Sequence, residues 1–299
     1  MAESRKVLFI INKFSGGGYK PSVEGKIIAL CGRLNIECSI EFTQGRGHAS
    51  ELAKEASEKG FDTVFAVGGD GTVNEVAQGL VYTNTPMGII PKGSGNGLAR
   101  HLGIPMGFLN SLSLIESTKV ILMDTFLVNG KLSVNVSGIG FDGHVAGMFG
   151  KDGKRGFLSY SKLVLKEFKS FKEFDSSVFI DGEEFDRKAF MISMANSSQF
   201  GNNAKVAPQA SVCDQLIDVS IIKKISFLES VGFGYQMFTG RLDRSPFVEI
   251  KQTQHLQLKL AQPVAYHIDG EGMMPTKDFT ISMQAASLRM VIPQRKKKV

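Results

Sequence analysis

A strand-like run that ends in a glycine turn carrying one acid constrains the fold more than any other feature of the chain. The apolar residues 63–67 lead into residues 68–72 (GGDGT), and the helix-like residues 73–80 follow at once. Closely spaced glycines let the backbone approach a ligand, and a helix N-terminus adds positive potential, so this turn suits a phosphate chain. Asp70 indicates a bound Mg²⁺ or an acid–base role, because a carboxylate alone would repel phosphates. A tight strand-to-helix connection capped by Asp70 is the simpler alternative.

Two further segments repeat this pattern of a strand followed by a glycine turn. Residues 87–90 are apolar and lead into residues 91–97 (PKGSGNG), before a helix-like start at 98–102. The N-terminal strand-like run, 6–11, turns through residues 12–18 (NKFSGGG). Open α/β sheets bind ligands at the carboxyl ends of their parallel strands. The turns therefore predict one ligand-binding crevice.

The character of the chain changes near residue 126. Before it, apolar strands alternate with helical stretches such as 49–59 and 111–117, which is typical of a parallel sheet with crossover helices. After it, short alternating segments dominate, interrupted by helical segments at 157–171 and 226–238. We therefore predict an α/β domain over residues 1–126 and a β-rich antiparallel sandwich over residues 127–299. The predicted strands of the second domain are 132–136, 177–180, 189–195, 217–222, 247–252, 255–260, 264–268 and 279–283.

Composition and charge narrow the classes of function. The chain has 299 residues, of which 42% are hydrophobic, enough for proper cores, and four of its six net positive charges lie in residues 295–298. This distribution argues against a nucleic-acid surface over the body of the protein. The basic tail permits contact with anionic lipid headgroups, although a solvated terminus is commoner. Because the sequence has no membrane-spanning apolar run, no signal-peptide core and no metal or disulfide spacing among its three cysteines, we expect a cytoplasmic protein.

Residues 138–143 (GIGFDG) match the spacing of a dinucleotide-binding turn and follow a predicted strand. Residues 144–156 contain further glycines and predict a poor helix. The dinucleotide fingerprint needs a helix to receive the pyrophosphate, so the sequence disfavours a nicotinamide cofactor. Residues 16–21 likewise lack the residue order of a Walker-type phosphate loop.

Taken together, the motifs resemble those of the diacylglycerol kinase-like lipid kinase family, which includes bacterial diacylglycerol kinases and the sphingosine and ceramide kinases. The resemblance covers nearly the whole chain. It implies a nucleotide domain similar to those of NAD kinases and phosphofructokinases, then a β-rich domain, with the active site between them and a C-terminal segment that could return to the first domain. The segments that carry it are 68–75, Thr43 with 47–49, 93–96, Asp124, 135–142, 200–208, 214–218 and 269–271 (DGE).

The resemblance implies a kinase that transfers the γ-phosphate of ATP to a lipid hydroxyl, with Mg²⁺ as cofactor. It makes Asp269 the expected general base, Glu271 its partner in the Mg²⁺ network, and Asp70 the organiser of the metal. From the residues alone, Asp269 and the glycine after it predict a hairpin turn, and Asp70 is the next candidate base. The expected ATP-binding residues are Asn12, Ser15, Gly16, Thr43, Gly68, Gly69, Gly71, Thr72, Ser94 and Asn96.

Several positions depart from the family pattern. Gly97 stands where many bacterial members carry an acid, so the hydrogen bonds around Asp70 must be arranged differently. Lys13 replaces a common proline, either as a phosphate contact or as a solvated side chain. Asp214 and Asp218 match a segment that holds a structural metal in some relatives. A structural Mg²⁺ there stays open, since so few carboxylates would need backbone oxygens and water as further ligands.

The helical segment 157–171 is a candidate for membrane contact. Its apolar face could insert into a bilayer beside its lysines, or it could pack against the second domain, which is the more frequent fate of such a face. The expected partners are a lipid substrate and a membrane surface touched peripherally, without nucleic acid, and a homodimer stays open. The apolar positions are Tyr160, Leu163, Val164, Phe168 and Phe171, and the lysines are Lys162, Lys166, Lys169 and Lys172.

Two rival functions share parts of this pattern. A soluble kinase of the NAD kinase type would share residues 68–72, but its pattern does not predict 135–142 together with 269–271. A non-catalytic sensor of nucleotide or lipid is suggested by Gly97, whereas the retained Asp70 and the two acids of 269–271 favour an enzyme. The sequence leaves the lipid headgroup open, because acyl-chain pockets are lined by generic apolar residues.

Overall fold

A computed structural model describes residues 4–16, 22–149 and 156–294. Contacts divide the chain into two compact units: unit 1 comprises residues 1–123 with 286–299, and unit 2 comprises residues 124–285. The basic tail at 295–298 and the glycines at 17 and 18 lie outside the described residues. Within the described ranges, no helix is both long enough and apolar enough to cross a bilayer.

Unit 1 contains a parallel sheet with helices between its strands. Its elements are β1 (Lys6–Ile11), α1 (Ser22–Arg33), β2 (Glu37–Phe42), α2 (His48–Glu58), β3 (Thr63–Gly68), α3 (Asp70–Leu80), β4 (Met87–Pro91), α4 (Gly97–His101) and α5 (Phe108–Ser111). The strand order is β4-β3-β1-β2, and all neighbours are parallel. Strands β3 and β4 are buried along their whole length, which explains why they read as continuous apolar runs. The predicted α/β architecture is confirmed.

The register of this sheet brings the ends of its central strands together. Ile11 pairs with Val67, and Gly68 pairs with Pro91. Parallel neighbours that end in register release their connecting turns at the same edge. The turns after β1, β3 and β4 therefore leave unit 1 at one edge.

Helix α3 begins earlier than the sequence predicts. It starts at Asp70 rather than at residue 73, and Gly69 before it is extended, with φ −97° and ψ −172°. An acid in the first turn of a helix interacts favourably with the helix dipole, which explains the early start. The glycine turn is therefore partly helical. The predicted helix at 111–117 is instead α5 followed by a 3₁₀ turn, Leu112–Glu116.

Unit 2 is β-rich and antiparallel, as predicted. The main strand order is β14-β13-β10-β7-β15-β16, with β8 against β15 and β9 against β8. Strand β5 begins in unit 1, and β16 ends there. The elements are β5 (Val120–Val128), β6 (Lys131–Ser133), β7 (Val136–Gly140), α6 (Phe141–Met148), α7 (Phe157–Phe168), β8 (Phe174–Ile180), β9 (Glu183–Ala189), β10 (Met191–Ala195), β11 (Gln199–Gly201), β12 (Ala204–Lys205), β13 (Ile217–Ile222), α8 (Glu229–Thr239), β14 (Val248–Thr253), β15 (His255–Ile268) and β16 (Glu271–Val291).

The apolar face of α7 packs into unit 2. A core cluster that includes Phe141, Phe190, Val206 and Leu242 receives it. The packing alternative is therefore confirmed for this face: its side chains are partly buried against that cluster, which leaves little of the face for insertion into a bilayer. Four residues of α7 and one just after it pack against this cluster: Tyr160, Leu163, Val164, Phe168 and Phe171.

Two strand predictions in unit 2 need correction. The predicted strand at 132–136 is interrupted: β6 ends at Ser133, and β7 begins at Val136. The N–H groups of the two residues between them bind a distant carboxylate instead of a neighbouring strand. The predicted strands 255–260 and 264–268 form the single strand β15, whose register shifts between Lys259 and Val264.

Candidate active site

Three glycine turns of unit 1 follow β1 (the first turn, residues 12–16), β3 (the second turn, residues 68–72) and β4 (the third turn, residues 91–97). Side-chain and backbone contacts connect the first turn to the other two. Asn12 donates from Nδ2 to Thr72 Oγ1 at 3.0 Å. The hydroxyl of Ser15 donates to the carbonyl of Asn12 at 2.9 Å. Gly16 has φ 67°, and a Cβ at this position would collide with the carbonyl oxygen of Lys92. Only glycine fits so close to the third turn.

The glycines of the second and third turns lie against each other. A Cβ added to Gly93 would lie 2.6 Å from Gly69 Cα, which is closer than real Cβ contacts come. The N–H of Lys92 donates to the carbonyl of Gly68 at 2.7 Å. Side chains at either glycine would force the turns apart, so glycine is needed for packing here as well as for ligand approach.

Asp70 holds the third turn through both carboxylate oxygens. Its Oδ2 accepts the N–H of Asn96 at 2.9 Å, and its Oδ1 accepts the N–H of Gly97 at 2.8 Å. Asn96 is in the left-handed region, with φ 52°, and its Oδ1 accepts the N–H of Gly93 at 2.9 Å. Gly97 therefore takes part in the hydrogen bonds around Asp70 through its backbone N–H.

The remaining predicted nucleotide residues also belong to this edge of unit 1. Thr43 follows β2, is buried, and donates its N–H to the carbonyl of Ile11 at 3.1 Å. Ser94 is exposed on the third turn. A Cβ added to Gly71 would meet no described atom within 4 Å, so there is open space beside this glycine. The structure therefore gathers the predicted ATP-binding residues on the turns that follow β1, β2, β3 and β4. Their predicted roles stay predictions.

Lys92 is a charged residue of this site that the sequence reasoning missed. It belongs to the third turn; its N–H donates to Gly68 of the second turn, and its carbonyl oxygen lies close to Gly16 of the first. Its Nζ is buried. Burial lowers the pKa of this ammonium group. The signal for it was present, since a lysine directly before a glycine turn adds a cation beside a phosphate-binding backbone.

Asp269 lies in a two-residue hairpin of unit 2, between β15 and β16. Asp269 and Gly270 have φ 48° and 88°, and Ile268 pairs with Glu271. Positive φ at both central residues is typical of a type I′ turn, so the hairpin interpretation of this dipeptide is correct. Glu271 begins β16 and is exposed, whereas Asp269 is only 9% exposed.

The carboxylate of Asp269 has a second role besides the turn. It accepts the hydroxyl of Ser133 at 2.7 Å, the N–H of Val134 at 2.9 Å and the N–H of Asn135 at 3.0 Å. A carboxylate held by three donors has a fixed orientation. These hydrogen bonds also explain why the strand is interrupted between β6 and β7.

A buried His–Asp pair supports the same hairpin. His267 Nδ1 accepts the N–H of Gly270 at 3.0 Å, so the ring proton is on Nε2, 3.4 Å from Asp142 Oδ2. The hydroxyl of Ser193 also donates to Asp142 Oδ2, at 3.3 Å. Burial and the carboxylate of Asp142 raise the pKa of Tyr160. Sequence reasoning did not assign His267; its only signal was its position two residues before Asp269.

The glycine turn at 138–143 runs into a short helix. Of residues 144–156, for which a poor helix is predicted, 144–148 form the end of α6, Phe149 lies beyond it, and 150–155 lie outside the described residues. Helix α6 begins at Phe141, directly after β7. Asp142 occupies its first turn and accepts the N–H of Gly143 at 2.8 Å. A Cβ at Gly138 would collide with the Asp142 carboxylate, and one at Gly143 with the backbone of Tyr266. These glycines make room for an acid and a strand, which disfavours pyrophosphate at this position.

Asp214 and Asp218 differ in their surroundings. Asp214 is exposed and accepts the N–H of Leu216 at 3.1 Å. Asp218 is buried on β13, and its Oδ1 accepts from Gln252 Nε2 at 3.3 Å. Its Oδ2 has no hydrogen-bond partner among the described residues, and burial raises the pKa of this carboxyl to about 6. In the part of the chain that the structure describes, no group of three or more His, Cys, Asp or Glu side chains is arranged to hold a metal. The structural Mg²⁺ at these two acids stays a prediction.

Comparison with known proteins matches both parts of the chain. Residues 6–128 match the family model described as "Diacylglycerol kinase catalytic domain", and residues 135–292 match the one described as "YegS C-terminal NAD kinase beta sandwich-like domain". A diacylglycerol kinase of Bacillus subtilis is 26% identical over 284 residues, which cover 91% of this chain and 92% of the relative. A protein of Pseudomonas aeruginosa named "Probable lipid kinase YegS-like" is 29% identical over 262 residues, covering 86% and 85%.

A solved structure agrees with the fold. The crystal structure of a protein described as a diacylglycerol kinase from Bacillus anthracis superposes with a TM-score of 0.77 at 20% identity, covering 98% of each chain. At that identity the likeness shows the fold alone. Since the two family models follow one another over nearly the whole chain, the protein belongs to the diacylglycerol kinase-like lipid kinase family and is a lipid kinase, a phosphotransferase with an alcohol group as acceptor.

Proposed function

We propose that this protein transfers the γ-phosphate of ATP to the hydroxyl of diacylglycerol or of a related glycerolipid or sphingolipid. The observation that carries the proposal is the convergence of three glycine turns in unit 1. Asn12 is hydrogen-bonded to Thr72, and Asp70 is hydrogen-bonded to Asn96. The name of the Bacillus subtilis relative supports diacylglycerol as the first acceptor to test. The site would lie in the cytoplasm, at a membrane surface that supplies the lipid.

Unit 1 supplies the groups that would hold the phosphates. Among residues 4–16, 22–149 and 156–294, no side chain caps the N-terminus of helix α3. A helix N-terminus attracts phosphate through its N–H groups and its dipole. Thr72 adds a hydroxyl that already accepts from Asn12. Lys92 belongs to the third turn, where its ammonium group would add a positive charge for the phosphates.

Mg²⁺, when bound, offsets the charge of the phosphates and makes the γ-phosphate a better electrophile. Carboxylates such as Asp70 and Glu271 are the ligands that this cation prefers. Each oxygen of Asp70 accepts a backbone N–H, so we assign Asp70 to orienting the third turn and the water around the metal. Glu271 is exposed at the start of β16, where its carboxylate suits the metal network.

Unit 2 supplies the proposed general base. Asp269 would accept the proton of the lipid hydroxyl as the hydroxyl oxygen attacks the γ-phosphorus and ADP leaves. Its three hydrogen bonds fix the orientation of the carboxylate. The contact of His267 with Gly270 holds the turn that carries it. Asp70 is the next candidate base.

Incubation of the purified protein with labelled ATP, Mg²⁺ and a panel of acceptors tests this function. The panel contains diacylglycerol, monoacylglycerol, a sphingoid base, ceramide, phosphatidylglycerol and NAD. We expect label in one lipid product, lost when Mg²⁺ is chelated. Label in NAD alone would instead establish a soluble small-molecule kinase, and nucleotide binding without any labelled product would favour a sensor.

A further inference from the structure

Helix α8 of unit 2 carries an apolar stripe that faces solvent. Leu228 is 86% exposed, Val231 74%, Tyr235 63% and Phe238 48%. Spacings of three and four residues put these four side chains on one face of the helix. Soluble proteins rarely expose so many large apolar side chains together unless the surface binds something.

The opposite face of α8 explains why the stripe is not needed for folding. Phe233 and Met237 pack against the same core cluster that receives α7. Helix α8 therefore packs against unit 2 through one face, and the stripe on the opposite face is exposed to solvent. Phe227, just before the helix, is 56% exposed and extends the stripe at its N-terminal end.

Cations lie at both ends of this stripe. Lys169 Nζ is 5.6 Å from the centroid of the Phe227 ring. At the other end, the side chain of Lys205 approaches Gly240, and the exposed Arg241 follows. Glu229 is the single acid within α8 itself. An apolar helix face bordered by Lys and Arg has the chemistry of a segment that lies in the interface of an anionic bilayer.

We propose that the α8 stripe (Phe227, Leu228, Val231, Tyr235 and Phe238) docks the protein onto an anionic lipid bilayer. This inference rests on the proposed function, because a lipid acceptor is presented by such a surface. The stripe spans about 16 Å of helix at 1.5 Å per residue, so it lies along the interface and does not cross the membrane. Tyrosine and phenylalanine suit this depth, since their rings can reach apolar chains below the headgroups.

Vesicle sedimentation of the full chain tests the docking surface. The test variant is Val231→Ser with Tyr235→Ser and Phe238→Ser, and the matched control is Ile28→Ser with Leu109→Ser, which are exposed apolar residues of unit 1. On vesicles of phosphatidylglycerol and phosphatidylcholine, we expect the test variant to bind about tenfold more weakly and the control to bind like the wild type. We expect wild-type binding to weaken in high salt and on pure phosphatidylcholine.

Activity on two forms of the acceptor separates this inference from the proposed function. We expect equal phosphorylation of a dispersed short-chain diacylglycerol by wild type and test variant, and a lower rate for the variant on long-chain lipid in vesicles. Unchanged vesicle binding by the variant would overturn the docking surface. A change of oligomeric state with unchanged vesicle binding would overturn it too, and would assign the stripe to a contact between copies. Failure of the wild type to phosphorylate any dispersed lipid would overturn the proposed function, while a loss of vesicle binding in the variant would still support docking.

Discussion

Replacing Asp70 by asparagine tests whether this carboxylate organises the third turn. Each of its oxygens accepts one backbone N–H, from Asn96 at 2.9 Å and from Gly97 at 2.8 Å. An amide keeps the shape of the side chain but replaces one acceptor oxygen with an NH₂ donor. One N–H group then faces another donor, and because both partners are buried, water cannot easily replace the lost acceptor.

The expected cost follows from these two bonds. A hydrogen bond to a charged acceptor contributes about 1.5–3 kcal/mol, and a buried donor left without an acceptor costs about 1–3 kcal/mol. We expect Asp70→Asn to lower the free energy of unfolding of unit 1 by about 2–3 kcal/mol. The matched control is Asp62→Asn. The side chain of Asp62 accepts the exposed N–H of Lys6 at 2.7 Å. An amide oxygen can replace that acceptor, so the expected cost is about 0.5 kcal/mol or less.

Urea unfolding of both full-length variants measures this difference, and calorimetric titration with ATP measures its effect on the site. We expect Asp70→Asn to unfold at lower urea and to bind ATP more weakly, because the third turn loses an anchor. Equal unfolding midpoints for the Asp70 and Asp62 variants would refute the role assigned to Asp70, whatever their activities.

Three further predictions follow from single contacts. His267→Asn keeps an acceptor for the Gly270 N–H, whereas His267→Gln does not keep one at that position. The asparagine variant should therefore retain a higher kcat than the glutamine variant, with KM little changed in both. Equal losses of kcat would contradict the positioning role. Gly93→Ala should lower the melting temperature by several degrees, because its Cβ meets backbone at 2.6 Å, whereas Gly71→Ala, with open space, should not. Burial raises the pKa of Asp218 to about 6, so its contribution to stability is present below about pH 4 and is lost as the pH rises through 6. Asp218→Asn should therefore raise the urea midpoint at neutral pH and leave it unchanged near pH 4.

The sequence predicts well what depends on neighbouring residues. Strand β1 has the predicted bounds, and the turn at 68–72 follows a buried strand, because apolar runs and glycine clusters are local signals. The meeting of the turns could also be predicted, since parallel strands release their turns at one edge of a sheet. The early start of α3 at Asp70 shows the usual limit at element ends.

Contacts between distant residues could not be predicted in the same way. Asp269 lies more than 130 residues from Ser133 and from Asn135, yet these contacts interrupt a strand that the local pattern predicts as continuous. The partnership of His267 with Asp142 is likewise a product of the fold. Local periodicity specifies which side chains share a face, but the tertiary structure decides what covers that face.

The two helices of unit 2 illustrate this division. The apolar face of α7 is visible in the sequence, and its cover is the core cluster around Phe141 and Phe190. The sequence also predicts a helix near 226–238, but its exposed stripe could be recognised only after the fold had assigned Phe233 and Met237 to the core. The candidate membrane surface therefore moves from one helix to the other.

The rate of phosphate transfer from labelled ATP to diacylglycerol by the Asp269→Asn variant tests the proposed mechanism most directly. Ser133→Ala is the matched control, because it removes one hydrogen bond to the same carboxylate and keeps the carboxylate itself. If Asp269 is the general base, Asp269→Asn should lower kcat about 100-fold or more while ATP still binds, and Ser133→Ala should lose far less. A wild-type rate in Asp269→Asn, or an equal loss in both variants, would contradict that assignment.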